Sequence, residues 1–434
     1  MSHRRVVRPF FLIKARVDGL RLLSPGQGDQ HNGRLHSRIP PFGSCGPVLG
    51  PRFVNIPKIE SVLMTSLFSP LTFKRGPAMK NRFMLAPLTN LQSHEDGVCS
   101  EDEFIWLTKR AEGGFGLTMT CAAHVQAEGK GFSGQLGIFS DDHLPGLTRL
   151  AKTIKANDSL AVAQLYHGGM RCPTEVIGMQ PLSASDNAKW GARAMTTAEV
   201  DGMIEAFIRS AQRAEQAGFD GVELHGAHGY ILAQFLSAEI NQRDDRFGGS
   251  LANRSRPIFE IIEGIRKRCG NDFAVGVRLS PERFGMQLKD VVQVADTLMR
   301  NELVEYLDMS MWDVFKMPVE GGVQGKSLLA YFTELDRKGV RLGVAGKLNT
   351  PAELQHALDA GVDWVMLGRA AILHHDYPKL CQADSNFLPV SLPASPEHLR
   401  AEGLSTTFIN YMKTWKGFVR DNDGFIDDDL ILNS

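Results

Sequence analysis

The residue types best suited to chemistry lie together in His225-Gly226-Ala227-His228-Gly229-Tyr230. Two imidazoles three residues apart, at the end of an apolar run, can point their N–H groups at one ligand oxygen and polarise a carbonyl or hold a phenolate or nitro oxygen. The glycines let the backbone approach a flat ligand, and the Tyr230 phenol can supply a proton. A zinc pair and two structural histidines are the alternatives, although zinc needs a third ligand and no acidic or histidine partner is obvious.

Two glycine turns, Ala345-Gly346 and Gly368-Arg369, lie at the ends of the two apolar runs Arg341–Ala345 and Trp364–Gly368. Backbone N–H groups at such turns, with one guanidinium fork, can hold a phosphate dianion. The alternative is a turn glycine followed by a surface arginine.

Three more polar side chains lie within or directly after apolar runs. Arg278 needs an anionic or electron-rich partner, which is either a ligand such as the edge of a flavin ring or a neighbouring acid such as Glu223. Gln164 needs partners that both donate and accept, which a flavin edge offers, unless it is a satisfied core glutamine. The Thr89 hydroxyl can reach a ligand carbonyl, but in isolation a threonine that caps a turn is the better interpretation.

Eight short apolar runs could position these side chains. Each is bounded by Gly, Pro, Asn or Asp and has the near-continuous apolarity of parallel strands buried on both faces; they are Arg82–Leu88, Phe115–Cys121, Leu160–Tyr166, Gly221–His225, Phe273–Leu279, Tyr306–Ser310, Arg341–Ala345 and Trp364–Gly368. Helical patterns separate them, so we predict an α/β fold of the (β/α)₈ TIM-barrel type, with its active site at the carboxyl ends of the strands and a phosphate site after strands seven and eight. A doubly wound open sheet is the runner-up, less favoured because no G-x-G-x-x-G follows the first strand.

Several helix boundaries carry recognisable signals. Ser100 to Glu103 is predicted to form a capping box. An apolar face predicts a helix from Thr197 to Ala217, ended by Gly218. Thr350-Pro351 opens another helix, and Gly361 closes it.

Composition limits the remaining possibilities. The net charge of -1, with 43% hydrophobic residues, gives no global attraction for nucleic acid or an anionic membrane, so neither is expected as a partner. The six cysteines form no C-x-x-C pair, which favours a reduced, cytoplasmic setting and argues against a zinc-ribbon or iron–sulfur centre. No apolar run is long enough to span a bilayer.

We predict three segments. Residues 1–66 form a basic extension, rich in Gly and Pro, that is expected to be disordered, with a transit peptide and organelle location as the alternative. Residues 67–380 form the barrel. Residues 381–434 form a helical tail, whose aromatic stripe in 396–420 is expected to pack on the barrel rather than serve a subunit contact, although a homo-oligomer is possible. The loops 167–196 and 312–325 are expected to wall the substrate pocket, with Trp312 as its aromatic side chain or else as a core residue.

Taken together, these residues resemble the Old Yellow Enzyme family of FMN-dependent ene-reductases. The resemblance covers about Leu67 to Pro378, and the order and spacing of its motifs are specific. The matching motifs are Lys80-Asn81-Arg82, Ala86-Pro87-Leu88-Thr89, Ala163-Gln164-Leu165, His225-x-x-His228-x-Tyr230, the run Asn241-Gln242-Arg243-Asp244-Asp245-Arg246-Phe247-Gly248-Gly249-Ser250, Arg278 and Gly368-Arg369.

The resemblance implies a cofactor and roles. FMN would lie across the barrel mouth, reduced by NAD(P)H, with its phosphate on Gly346, Gly368 and Arg369. Gln164 and Arg278 would bind the pyrimidine edge of the flavin, Thr89 would bind O4, and Pro87, Leu88 and Ala122 would line the ring. His225 and His228 would bind the carbonyl oxygen of an activated alkene, N5 would give a hydride, and Tyr230 would protonate the product.

The chain departs from the family pattern at several points. Many relatives with the two histidines have Cys at the Thr89 position, and some have a substrate-binding Tyr where Leu91 stands. No cysteine cluster follows the barrel, so direct transfer from NAD(P)H through FMN to the substrate is expected. One alternative to alkene reduction is a flavin-dependent amine or demethylating dehydrogenase. The other is a non-catalytic flavin-binding protein, and Tyr230 and both histidines argue against that one.

Overall fold

A computed structural model describes residues 67–319 and 325–420. The predictions for residues 1–66 and for the last part of the tail therefore lie outside the described residues. No helix in the described ranges is long and apolar enough to cross a membrane.

Eight parallel strands form a closed barrel, which confirms the predicted fold. The strands are β1 (Phe83–Leu85), β2 (Leu117–His124), β3 (Leu160–Tyr166), β4 (Gly221–Gly226), β5 (Ala274–Leu279), β6 (Tyr306–Ser310), β7 (Arg341–Ala345) and β8 (Trp364–Leu367). Each strand pairs with the next along the chain, and β8 pairs with β1, where Val365 lies opposite Phe83. Because all eight strands are parallel, their carboxyl ends meet at one rim.

Five strands differ from their predicted bounds, three of them by one residue at one end and two, β1 and β2, by more. Strand β1 ends at Leu85, so that Pro87 lies in the following loop, consistent with its missing N–H. Strand β2 continues beyond Cys121 to His124, through a register irregularity between Met119 and Ala122. Such irregularities re-aim side chains at strand ends.

Thirteen α-helices are present among the described residues. They are α1 (Glu101–Glu112), α2 (Leu144–Lys155), α3 (Thr174–Ile177), α4 (Thr197–Gln216), α5 (Ile231–Leu236), α6 (Leu251–Arg268), α7 (Leu288–Arg300), α8 (Ala330–Thr333), α9 (Pro351–Asp359), α10 (Arg369–Leu373), α11 (Tyr377–Ala383), α12 (Pro396–Ala401) and α13 (Thr406–Lys413). Two-residue strands, Leu182–Ser183 and Arg193–Ala194, pair with each other in the loop after β3.

The helix signals are confirmed except at one position. Complete capping boxes begin α4 at Thr196 and α9 at Thr350. At α1 only half of the predicted box forms: the Ser100 side chain accepts the N–H of Glu103, but the Glu103 carboxylate accepts a hydrogen bond from Ser93 Oγ at 2.9 Å. The predicted capping box was wrong in that half because this carboxylate is buried in the protein.

The tail contains two helices where the sequence predicted one helical pattern. Helix α12 ends at Ala401, and α13 begins after the cap residue Ser405. Helix α13 packs on α1, since the Phe408 and Trp106 ring centroids lie 4.8 Å apart.

The barrel interior is filled by side chains at its amino end. Tyr306 and Trp364 pack edge to face there, with ring centroids 5.2 Å apart. Each ring has a glycine opposite it on the adjacent strand: a Cβ on Gly276 would lie 2.1 Å from the Tyr306 ring, and one on Gly343 would lie 2.3 Å from the Trp364 ring. The interior is therefore a packed core rather than a channel.

We expect Gly276→Ala to lower the free energy of unfolding by about 1–3 kcal/mol, because the added methyl group overpacks the interior against Tyr306. Urea unfolding of the FMN-saturated protein measures this change. In the control Gly202→Ala, within helix α4, the added Cβ meets nothing within 4 Å. The control should raise stability by about 0.5–1 kcal/mol, and an equal gain in Gly276→Ala would contradict the prediction.

Candidate active site

A cavity of about 170 Å³ lies at the rim where the strands end. Eight predicted site residues line it: Pro87, Leu88, Thr89, Ala122, Gln164, His225, His228 and Tyr230. Two larger cavities, of about 320 and 340 Å³, lie elsewhere and contain none of the predicted residues. The convergence of these polar groups, rather than cavity size, therefore identifies this site.

The two histidines and Tyr230 form one ring cluster at the end of β4. Ring centroids lie 5.0 Å apart for His225 and His228, and 4.9 Å apart for His225 and Tyr230. His228 adopts the left-handed conformation with φ 59°, which is costly for a residue other than glycine. Its N–H donates to Ser280 Oγ at 3.1 Å, and the Arg171 guanidinium donates to its carbonyl oxygen. Contacts from two other loops thus hold the turn.

The surroundings of both imidazoles favour the neutral form. Burial lowers the pKa of His228 to about 3, with the charges of Arg278 and Arg171 acting in the same direction. Burial also lowers the pKa of His225 well below its usual range, and His228 and Arg278 lower it further. His225 Nδ1 accepts the N–H of Ala227 at 3.3 Å, so its proton is on Nε2. A neutral imidazole has one N–H. In His228, Nε2 lies 2.7 Å from Ser310 Oγ, and its N–H is free for a ligand when the Ser310 hydroxyl donates to Nε2.

Neither histidine belongs to a candidate metal site among the described residues. Two groups of potential ligands occur there, His374–His398–Glu402 and His375–Asp376–Glu402. In the first, His374 Nε2 accepts the N–H of Val390, so Nδ1 keeps the proton and offers no lone pair to a metal.

Tyr230 immediately precedes helix α5 and packs against a second tyrosine. The Tyr166 and Tyr230 ring centroids lie 4.5 Å apart at 69°. Burial raises the pKa of Tyr166 strongly, and its hydrogen bond with Tyr230 contributes. The Arg171 guanidinium lies 4.9 Å from the Tyr230 ring centroid. The Tyr230 phenol is therefore fixed in place beside the histidines.

Gln164 and Arg278 each have an acidic partner. Gln164 Nε2 donates to Glu223 Oε1 at 2.8 Å, and both side chains are buried. Arg278 Nε lies 2.8 Å from Asp308 Oδ2, an ion pair whose alignment is too poor for a hydrogen bond. Arg278 therefore has a buried acidic partner, as the alternative interpretation expected. That partner is Asp308 on β6 rather than Glu223.

The residues predicted to hold phosphate lie at two adjacent strand ends. Gly346 follows β7 with φ 148°, and a Cβ there would lie 2.8 Å from the Trp312 carbonyl carbon. Gly368 precedes α10, and Arg369 is its first residue. Arg369 forms no ion pair with any described residue, which leaves a free cation beside these turns.

Five predicted residues do not line the cavity: Arg278, Trp312, Gly346, Gly368 and Arg369. Trp312 is 55% exposed and lies under the Arg283 guanidinium, on the wall of a smaller cavity that also contacts His228. The 243–250 motif lies outside the cavity as well, where Arg243 pairs with Asp245 and Asn241 binds the Phe247 carbonyl.

Sequence reasoning missed six residues of the cavity wall: Phe132, Tyr166, Ile372, Tyr411, Met412 and Trp415. The last three come from α13 and the turn after it. Burial raises the pKa of Tyr411, and hydrogen bonds with Trp415 and Thr89 oppose that rise. The aromatic stripe of the tail was a visible signal, but nothing in the sequence showed that it reaches a loop more than 300 positions earlier.

Residues 66–379 match the NADH:flavin oxidoreductase / NADH oxidase family. The chain belongs to this family. A probable NADH-dependent flavin oxidoreductase of Bacillus subtilis is 36% identical over 318 residues, which cover 71% of this chain and 85% of that protein. An NADPH dehydrogenase of Bacillus cytotoxicus is 32% identical over 346 residues, covering 78% and 97%.

Solved structures agree with this assignment. Morphinone reductase in complex with tetrahydroNAD is 26% identical with a TM-score of 0.66, covering 77% of this chain and 94% of that chain. The old yellow enzyme homologue from Zymomonas mobilis is 27% identical with the same TM-score, covering 77% and 96%. The resemblance to the Old Yellow Enzyme family is confirmed, and this family member is an FMN-dependent oxidoreductase that uses NADH or NADPH.

The residues at the rim fit FMN. A flavin needs polar groups for its pyrimidine edge and a cationic turn for its phosphate. Gln164 presents the rest of its amide to the cavity, and Arg369 is a cation without an acidic partner among the described residues. These unused hydrogen-bonding groups are of the kinds that the cofactor requires.

We expect His225 and His228 to stay neutral throughout the range from pH 5 to 7, because charging either imidazole requires burying a cation. Ring ¹⁵N NMR of the labelled FMN-bound protein measures this protonation. In the urea-unfolded control the same histidines should titrate near pH 6.5. Protonation of either ring within that range in the folded protein would contradict the prediction.

Proposed function

We propose that this enzyme reduces activated C=C bonds, such as those of enones and nitroalkenes, with NAD(P)H as the reductant. The observation that carries the proposal is the pair of imidazoles beside the Tyr230 phenol at one strand end, in surroundings that favour their neutral form. That arrangement suits an alkene conjugated to a polar oxygen, which needs N–H donors at the oxygen and a proton donor at the carbon. The similarity to a morphinone reductase supports it.

The proposed FMN site uses the residues around the cavity and the next two strand ends. Gln164 and Arg278 would hold the pyrimidine edge, and Thr89 would bind O4. Pro87, Leu88 and Ala122 would contact the ring, and Gly346, Gly368 and Arg369 would hold the phosphate. The bound cofactor would supply hydride chemistry between NAD(P)H and the alkene.

The protein groups complete the reaction. His225 Nε2–H and the N–H of His228 donate to the substrate oxygen and stabilise the negative charge that develops there; removing one such donor typically costs about 10²–10³ in rate. Tyr230 donates its phenolic proton to Cα, so one hydride and one proton add across the double bond. Because nicotinamide and alkene share one cavity, the oxidised nucleotide leaves before the alkene enters, which gives ping-pong kinetics.

The predicted cytoplasmic location, the segment boundaries and the oligomeric state stay predictions. So does the substrate role of Trp312, whose exposed ring is outside the cavity.

We expect Tyr230→Phe to lower alkene reduction by about 10²–10⁴-fold, since general-acid catalysis contributes a factor of that size. Flavin reduction by NADH should stay near the wild-type rate, because that step needs no phenolic proton. Stopped-flow flavin absorbance separates the two half-reactions, with cyclohexenone as the oxidant. Tyr331→Phe, in helix α8, is the matched control.

Three results would count against the proposal. Unchanged turnover in Tyr230→Phe removes that residue from its role. A pure protein that binds no flavin overturns the function altogether. Flavin reduction by amines without NAD(P)H favours the dehydrogenase alternative.

The aromatic wall from the tail should set substrate size. We expect Trp415→Ala to raise kcat/KM for a ring-substituted enone, relative to the unsubstituted one, by about tenfold, because the change opens the cavity. Steady-state rates with the two enones measure this ratio. Ile105→Ala, at a similarly exposed position on α1, should leave the ratio unchanged; an unchanged ratio in Trp415→Ala would rule out this role.

A further inference from the structure

Four polar side chains form a buried layer in the barrel, continuous with the cavity floor. They are Gln164, Glu223, Arg278 and Asp308, on the consecutive strands β3 to β6, and none is more than 5% exposed. Strand register sets their order, because Gln164 lies opposite Glu223 and Arg278 lies opposite Asp308. Gln164 also lines the cavity, so it connects the layer with the proposed flavin site.

Several oxygens of this layer lack hydrogen-bond partners among the described residues. They are Glu223 Oε2 and both carboxylate oxygens of Asp308. A buried polar atom without a partner is costly, and a buried charge without a partner costs more. A proton on one of the carboxyl groups lowers that cost, since it removes a charge and adds a donor.

The charges show where that proton lies. The titratable groups facing Glu223 are Arg278, Asp308 and Tyr306, and the one cation among them is already paired with Asp308. Burial raises the pKa of Glu223, and the charge of Asp308 raises it further, against the opposing effects of Arg278, Gln164 and Tyr306. Burial also raises the pKa of Asp308, but there the nearby Arg278 opposes the rise. Glu223, without a cation of its own, is the group that holds the proton.

We propose that Glu223 is a positioning residue that carries a proton beneath the flavin site and, through Gln164, fixes the hydrogen bonds at the pyrimidine edge of FMN. With one N–H bound to Glu223, the Gln164 amide keeps its oxygen and its second N–H for the ligand. The inference rests on the proposed contact between Gln164 and FMN.

A pH dependence follows from this arrangement. Negative charge gathers at the pyrimidine edge when FMN is reduced, so an ionised Glu223 one side chain away disfavours the reduced cofactor. Glu223 therefore binds its proton more tightly in the reduced enzyme. There is then a pH range in which Glu223 is ionised in the oxidised enzyme but still protonated in the reduced enzyme. Within that range, the ratio of the affinity for reduced FMN to that for oxidised FMN should fall about tenfold per pH unit.

The test is Glu223→Gln, which keeps the shape and an oxygen for Gln164 but cannot ionise. The midpoint potential of the bound FMN is measured against pH in the wild type and in the variant. Both should agree at low pH, and only the wild type should show the additional fall at high pH. The control is Glu103→Gln, since Glu103 is an equally buried glutamate outside the barrel with a raised pKa; it should keep the wild-type profile.

A second measurement does not depend on the variant folding. The redox difference infrared spectrum of the wild-type holoenzyme should contain the C=O band of a protonated carboxyl group that shifts in D₂O. Absence of this band overturns the proposal, and so does a Glu223→Gln potential profile identical to that of the wild type.

Gln164→Leu separates this inference from the proposed function. Unchanged FMN affinity there overturns the flavin placement and the role of Glu223 with it. Weakened FMN affinity, combined with a wild-type profile in Glu223→Gln, overturns the role of Glu223 alone.

Discussion

Closure of the barrel between β8 and β1 is the constraint on which the rest of the structure depends. Those strands pair in parallel, and the backbone N–H of Ala86 reaches the Leu367 carbonyl at 3.0 Å just past the last register pair. Closure removes both sheet edges and brings every strand end to one rim. The loop after β1, with Thr89, therefore faces the end of β4, with His225, across the same opening.

Much of this arrangement could be predicted because it depends on local patterns. Buried parallel strands are short apolar runs, so Leu160–Tyr166, Tyr306–Ser310 and Arg341–Ala345 have the bounds that the sequence predicts. The barrel rule then places polar residues after strand ends at one rim, which is why Gln164 and Tyr230 were predicted to lie together. Each of these predictions needs only a short stretch of sequence and the fold class.

The parts that could not be predicted depend on register and on long-range packing. Which acid faces Arg278 depends on the alignment of β5 with β6, and apolar runs do not fix that alignment. The half-formed capping box at Glu103 depends on Ser93, which lies in a loop without periodicity. Tyr411 reaches Thr89 only because α13 docks beside α1, where Ser405 N donates to the Gln92 side chain.

The contribution of α13 to the cavity also has a consequence for how the enzyme is made. During synthesis the barrel can close once β8 has emerged, whereas the cavity wall is incomplete until Trp415 has followed. Domains generally fold as units from the amino end during translation. The strand ends that are proposed to hold FMN are therefore synthesised before the residues of α13 that wall the substrate cavity.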